Sequence, residues 1–369
     1  MRTGFIPILL AAAVLPALSQ TQAPTIPPLP KDPHAMFEAA APFYDFTDPS
    51  MKPWHLKATY RLYDEKGNAT EQGTYEYWWA SPSVHRSSWT RPSAAHTDWH
   101  ISESQRAYLA TGESLNFFEY KLQTAWFSPL PSAEELNEQG VRLQVEERKL
   151  FVNGDKSPCI MVVPDMPAQN ALLQPAPMGL FPTYCFDPGR PILRAETSFG
   201  TLAMQFNDFV GVQGRFLPRK IDIFEGRRPI LSAKVDAVTF ISPSDPAFTP
   251  APEAKVARIP MTKTPDGKAI PVKNVAVSAG VAVGMLISKV QPEYPREAKD
   301  AHITGTVVLK ALIGRDGSIE DLRVVQAPAA SLAVSALLAV SRWRYRPYLL
   351  NGEPVDVDTT INVIYSMGG

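Results

Sequence analysis

A chain of 369 residues is longer than one core usually serves, so two folded units are expected. The formal net charge of −1 offers no field to nucleic acid or to an anionic membrane surface. Hydrophobic residues at 45% suffice for a core, and the 36 prolines point to turns and linkers between folded parts.

Residues 1–19 read as a cleaved signal peptide, which implies a periplasmic location. Arg2 supplies the charged start, and the apolar run Ile6 to Leu18 spans 13 residues, broken by Pro7 and Pro16. A membrane-spanning helix needs roughly 20 apolar residues, so this run is short for an anchor; an uncleaved short anchor is the alternative. Ala17-Leu18-Ser19 offers small residues for cleavage before Gln20. Residues 20–33, with Pro24, Pro27, Pro28, Pro30 and Pro33, read as an extended, disordered lead.

From 34 to 241 the chain is aromatic and strand-like. Leu56, Ala58, Tyr60 and Leu62 alternate, as do Tyr75, Tyr77 and Trp79, around the polar turn 64–68. Further strands are expected over 141–152, 159–163, 183–186, 193–198, 202–209, 218–224 and 230–241, with a hairpin at Asn153-Gly154. Two helices stand out, 34–41 and 132–139, the second opening on a Ser132/Glu135 capping box. Many strands and few helices predict a large antiparallel sheet curled around a helix or groove. Six tryptophans lie here (Trp54, Trp78, Trp79, Trp89, Trp99, Trp126). They permit a ligand groove, though core packing is the plainer reading.

Cys159 and Cys185, the only cysteines, are expected to form a disulfide in an oxidising compartment. His96, Asp98 and His100 share a strand face and have the donor types for a divalent metal; an ordinary half-exposed strand explains them better, and no metal or cofactor is expected. No Gly-x-Ser-x-Gly, His-Glu-x-x-His or phosphate-cradling glycine loop occurs, so an enzyme is disfavoured.

Residues 242–272 hold seven prolines without periodicity and read as a semi-stiff tether. In 273–369 a short helix follows Tyr294-Pro295, and the strand 304–313 places Val307, Leu309, Ala311 and Ile313 on one face. Gly314-Arg-Asp316-Gly317 makes a turn into a second strand, 319–326, and 331–341 has helical spacing. Trp343, Tyr345 and Pro347 alternate with Arg342, Arg344 and Arg346, three guanidinium groups that Asp356 and Asp358 are expected to oppose. Asn351-Gly352 is a strong hairpin signal, feeding a last strand with Val355, Val357, Thr359, Ile361 and Val363 on one face.

The ordered set Pro292-x-Tyr294-Pro295, Ala298, Gly305-Thr-Val, Asp316-Gly317, Trp343-x-Tyr345-x-Pro347, Asn351-Gly352-x-Pro354-Val355 and the final strand resembles the C-terminal domain of the TonB energy-transducer family over about eighty residues. The resemblance implies an outer-membrane TonB-dependent transporter, or another envelope protein, as partner, bound by strand addition at 355–364, with Val355, Val357, Thr359, Ile361 and Val363 as candidate contacts. That family carries an uncleaved N-terminal helix and a long Pro-rich spacer; here the N-terminal helix looks removable, and the β-rich domain fills the place of the spacer. Its Phe186-Asp187, Phe206-Asn-Asp-Phe209, Gly214-Arg-Phe-Leu-Pro218 and Val235-to-Phe240 segments look similar to LolA-type half-barrels. The expected fold is therefore α+β: an antiparallel half-barrel-like domain, a Pro-rich linker, and a small domain with helices on one face of an antiparallel sheet. A lipid or lipoprotein carrier or sensor, with the small domain as adaptor, is the second reading; homodimerisation through the same edge is the third.

Overall fold

The computed structural model describes residues 26–137, 140–149, 156–164, 181–198, 202–272 and 274–367. The signal-peptide segment, the first part of the proline-rich lead and the Asn153-Gly154 hairpin lie outside these residues.

Among the described residues thirteen strands form one antiparallel sheet. In chain order they are β1 (Trp54–Tyr63), β2 (Ala69–Ser81), β3 (Val84–Arg91), β4 (Ala94–Ser102), β5 (Gln105–Gly112), β6 (Val141–Lys149), β7 (Lys156–Pro164), β8 (Thr183–Phe186), β9 (Leu193–Ser198), β10 (Leu202–Val212), β11 (Arg215–Glu225), β12 (Arg228–Phe240) and β13 (Lys255–Arg258). The spatial order is β13-β5-β4-β3-β2-β1-β12-β11-β10-β9-β8-β7-β6, so two meanders join where β1 pairs β12. On β1 the alternation is realised: Trp54, Leu56, Ala58 and Tyr60 are buried. Cys159 and Cys185 face each other across β7 and β8 and are joined by a disulfide.

The helices are α1 (Pro33–Ala40), α2 (Phe117–Phe127) and α3 (Ala133–Leu136). Asp32 caps α1 by accepting from the Ala35 amide at 2.9 Å, with Pro33 pre-set at the first helical position. The Ser132/Glu135 box caps α3. Sequence reasoning missed α2, the central one. In Phe117-Phe-Glu-Tyr-Lys-Leu-Gln-Thr-Ala-Trp-Phe127 the polar Glu119, Lys121, Gln123 and Thr124 are spread among the apolar residues, because the helix packs on the large sheet and on β19 of the small domain, so it has little amphipathic periodicity. The available signal was the Asn116/Glu119 capping box, which closes in both directions. Trp126 is fully buried and stacks on Tyr75 at 5.2 Å, and the Phe127 ring lies 4.5 Å from that of Tyr77. Trp54, Trp79, Trp89 and Trp99 are buried too and build core, while Trp78 is half-buried, stacked on His55.

The segment 242–272, expected to be a semi-stiff tether, is built in part into the large sheet. Trp99 donates its indole N–H to the Ala247 carbonyl at 3.0 Å, and β13 pairs with β5 as an edge strand. Next come the hairpin β14 (Met261–Lys263) and β15 (Ala269–Pro271), then β16 (Asn274–Ala276). Short strands separated by prolines leave no periodicity to read, yet backbone pairing needs none.

The C-terminal part holds α4 (Ala279–Met285), β17 (Leu286–Ser288), α5 (Arg296–Asp300), β18 (Gly305–Ile313), β19 (Ile319–Gln326), α6 (Ala330–Val340), β20 (Arg344–Tyr345), β21 (Tyr348–Leu350) and β22 (Glu353–Tyr365). Its sheet runs β16-β22-β18-β19, with β21 also on β22 and with α6 packed over β18 and β19. Leu332, Ala333, Ala336, Leu337 and Val340 of α6 meet Val307, Leu309, Ala311 and Ile313 of β18 in one core.

Candidate partner-binding edge

The motif residues of the small domain are structural. Tyr294 donates to the Ile303 carbonyl at 2.5 Å and sets its ring edge-on to Tyr365, while Pro295 precedes α5 as its cap. Trp343 donates to the Val290 carbonyl at 2.8 Å. Gly305 has φ 138° and faces Pro328. At the β18–β19 turn Asp316 accepts from the Ser318 amide at 2.9 Å. Gly317 there has φ 80° and accepts from the Tyr345 amide at 2.8 Å. Asn351 and Gly352 both have positive φ, as a two-residue hairpin demands. Pro347 lines a cavity at the domain junction.

On β22 the side chains of Val355, Val357, Thr359, Ile361 and Val363 are 3–6% exposed and belong to the core. Their backbone is no freer. Asp358 accepts from the Val277 amide at 2.9 Å, so Asp358 directs its main-chain groups outward, away from β18. Because those groups alternate along a strand, Thr360, Asn362 and Ile364 also direct theirs outward, and Val357, Thr359, Ile361 and Val363 direct theirs into β18. A strand laid on the outward edge would therefore meet the main chain of Asp358, Thr360, Asn362 and Ile364, which alternate with the residues of the expected contact set. The outward edge divides in two. At Asp356–Asp358 it is occupied by β16, which pairs in parallel. From 359 to 365 no strand among the described residues pairs with it. Ile364 on this stretch is 74% exposed.

The small domain docks on the large one through charge. Lys121 of α2 contacts Asp321 of β19 at 2.5 Å, Arg323 is paired with Asp321 and with Glu135 of α3, and Tyr120 donates to Asp316 at 2.9 Å. Arg106 of β5 donates to the Pro354 carbonyl at 2.9 Å, and Arg344 to the Leu115 carbonyl at 3.3 Å. The three arginines do not meet the two aspartates as expected: Asp356 pairs with Arg315 at 3.1 Å, and Asp358 accepts from the Asn274 amide group at 3.0 Å. Among the described residues several cavities lie along this junction, one of about 920 Å³ lined by Glu71, Arg91, Glu113, Arg228, Arg342 and Arg344. A second, of about 760 Å³, is lined by Tyr44, Lys121, Glu135, Glu196, Asp321 and Arg323. A third, about 430 Å³, is lined by His85, His100, Arg106, Arg315, Glu320 and Asp356. Charged and aromatic side chains share the walls of these last two with apolar ones, among them Leu130, Met204, Leu312 and Leu322 in the second cavity.

Burial, helped by Asp356 and Asp316, pushes the Glu320 carboxyl up to about 8. Burial raises Glu196 to about 7 against the pull of Lys121. Asp321 is also pushed up by burial, but Lys121 and Arg323 outweigh that and hold it below the ordinary range. His85 and His100 stack at 4.1 Å, and burial lowers them to about 4 and about 3. They are neutral at pH 7. His96 instead hydrogen-bonds the Glu113 carbonyl at 2.7 Å, and among the described residues no cluster suits a metal ion.

Residues 290–367 match the family model of the Gram-negative bacterial TonB protein C-terminal. Protein TonB of Vibrio cholerae is 30% identical over 86 residues, 23% of this chain and 35% of that one. Protein TonB of Klebsiella pneumoniae is 41% identical over 61 residues, 16% of this chain and 25% of that one. The chain therefore spans about a third or less of the curated relatives it matches. Among solved structures, it is similar to a LolA superfamily protein from Nitrosomonas europaea, with a TM-score of 0.34, 8% identity, and coverage of 59% of this chain and 97% of that one. A putative outer membrane lipoprotein-sorting protein domain from Vibrio parahaemolyticus gives a TM-score of 0.31 at 8% identity, covering 53% of this chain and 88% of that one. Residues 290–367 are thus similar to the TonB C-terminal domain, and in this chain they follow a large β-rich domain.

Proposed function

We propose that this protein acts in the periplasm as a TonB-type adaptor, whose C-terminal domain binds an outer-membrane TonB-dependent transporter by accepting an extended segment on the outward edge of β22. The observation that carries this reading is the unpaired edge from 359 to 365 in a domain similar to the TonB C-terminal domain. An extended peptide laid there satisfies the main-chain groups of Thr360, Asn362 and Ile364, which supplies affinity without a deep pocket. No helix among the described residues is long and apolar enough to cross a membrane.

Asn362→Pro tests it. This substitution deletes one outward N–H, and an edge strand tolerates proline where that N–H faces solvent. Full-length protein carrying it is expected to keep its circular dichroism and melting profile and to lose binding of a transporter plug-segment peptide. Unchanged peptide affinity in the folded variant would remove strand addition at this edge.

A further inference from the structure

The linker does more than join the domains. After β13 and the β14–β15 hairpin, the chain reaches the outward edge of β22, runs along it in parallel as β16, and continues into α4, which packs on the same strand. The Val277 amide donates to the Asp358 carbonyl at 2.9 Å, the Thr359 hydroxyl donates to the Val277 carbonyl at 3.0 Å, and Asn274 donates to the Asp358 carboxylate at 3.0 Å. Val277 and Met285 at the two ends of the segment pack partly against the core, and the Met285 carbonyl accepts from the Arg346 amide at 2.8 Å, but between them the hold is thin. Only Ala282 of α4 is fully buried, while Val281 and Val283 are 46% and 70% exposed. The helix is seven residues long, has no side-chain cap, and contains Gly280 and Gly284. Each glycine costs about 1 kcal/mol relative to alanine in a helix, and isolated helices of this length are not stable in water. Its two exposed valines are β-branched and favour extended backbone. Local opening is therefore far easier here than in the β18–β22 ladder, whose side chains are core.

We propose that residues 274–285 are a displaceable strap: a segment of the chain's own linker that occupies the partner edge of β22 and must lift before an incoming strand can pair along its whole length. This rests on the strand-addition reading above. The strap leaves the linker only two residues after β15, and β13 holds the start of the linker on the edge of the large sheet. Release thus changes the tether between the domains as well as the edge, and partner binding is linked to how tightly the linker is drawn.

Two arms, both on the full-length protein, test the strap. Without any partner, hydrogen exchange at the Val277 amide is expected to exceed that of Leu309 and Ile361 by at least about a hundredfold, through local opening. Equal rates would make the strap a fixed strand and overturn the proposal. The second arm compares three forms against a transporter plug-segment peptide. Val277→Pro removes the donor to Asp358 and frees the edge. Ala276→Cys with Asp358→Cys, register partners, locks it when oxidised. Apparent affinity is expected to rise at least about tenfold in Val277→Pro, as the closed population no longer competes, and to fall in the locked form until reductant is added. Equal affinity in all three forms overturns the strap but leaves strand addition at 359–365 standing. Absence of binding even in folded Val277→Pro removes strand addition, and the strap's gating role with it.

Discussion

Glu119 shows how single residues fix the interior of the large domain. It is completely buried, yet its carboxylate accepts from the Tyr60 hydroxyl at 2.8 Å, from Arg91 at 3.2 Å and from the Asn116 amide at 2.8 Å. One side chain thus caps α2 and ties it to β1 and β3. Gly73 makes the arrangement fit, because a Cβ there would lie 2.5 Å from the Tyr60 ring. Glu119→Ala leaves the buried Tyr60 hydroxyl and the Asn116 amide without their acceptor and removes one of the three carboxylates around Arg91, and is expected to cost at least about 2 kcal/mol, read by urea denaturation. A loss under about 1 kcal/mol would show that these groups find compensation, as Arg91 can in Glu71 and Glu113, its other partners. In the small domain Gly317 has the matching role. Its φ is 80°, and a Cβ there would collide with the Tyr345 carbonyl, so no side chain fits. Gly317→Ala is expected to lower stability by at least about 2 kcal/mol, measured by thermal unfolding. The Asp316-Gly317 turn was legible in the sequence because this chemistry is local. Glu119 was not, since its partners Tyr60 and Arg91 lie 59 and 28 positions away.

Among the elements, legibility followed exposure. The half-buried strands β1, β18 and β22 show alternation because one face meets the core and the other meets water or charge. Helix α2 hid its period because it packs on the large sheet and on β19, and β13 and β16 hid theirs because three or four residues cannot display one. On β22 the faces were legible and the edge was not: side-chain periodicity says which residues are buried, whereas the hydrogen-bonding direction emerges only once Val277 is seen on Asp358. Proline substitutions separate the two directions. Ile361→Pro removes a donor to the central strand β18 and is expected to destabilise the domain by about 3 kcal/mol or more. Asn362→Pro, one residue on, is expected to shift the denaturation midpoint little. Comparable losses for both would show that the outward N–H of Asn362 is bonded in the folded protein.

At the scale of the whole molecule, the two domains meet through Lys121, Arg323, Glu135 and Asp321, with Glu196 and Glu320 in the adjoining cavity walls. This meeting was not legible, because residues 242–272 read as a tether and nothing in either domain's periodicity names a partner surface. It makes stability depend on pH. Glu320 keeps its proton in the folded state up to about 8, against an ordinary value of 4.5, and Glu196 up to about 7. The folded state then holds protons that the unfolded chain has released, so stability falls as pH rises from about 4.5 towards 8. His85 and His100, depressed from 6.5, act with the opposite sign and only below about 6.5. Between pH 6.5 and 8 the acids act alone. Glu320→Gln is expected to flatten the decline in melting temperature across that window, and an unchanged slope would place the titration elsewhere.

The measurement that bears most directly on function is a backbone-amide NMR titration of the full-length protein with a transporter plug-segment peptide. Shifts concentrated at Asp358, Thr360, Asn362 and Ile364, with loss of the Val277 signal from its bonded position, are the predicted result. A flat titration of the folded protein, or shifts that leave β22 untouched, would contradict strand addition and turn the search for a partner to the large domain.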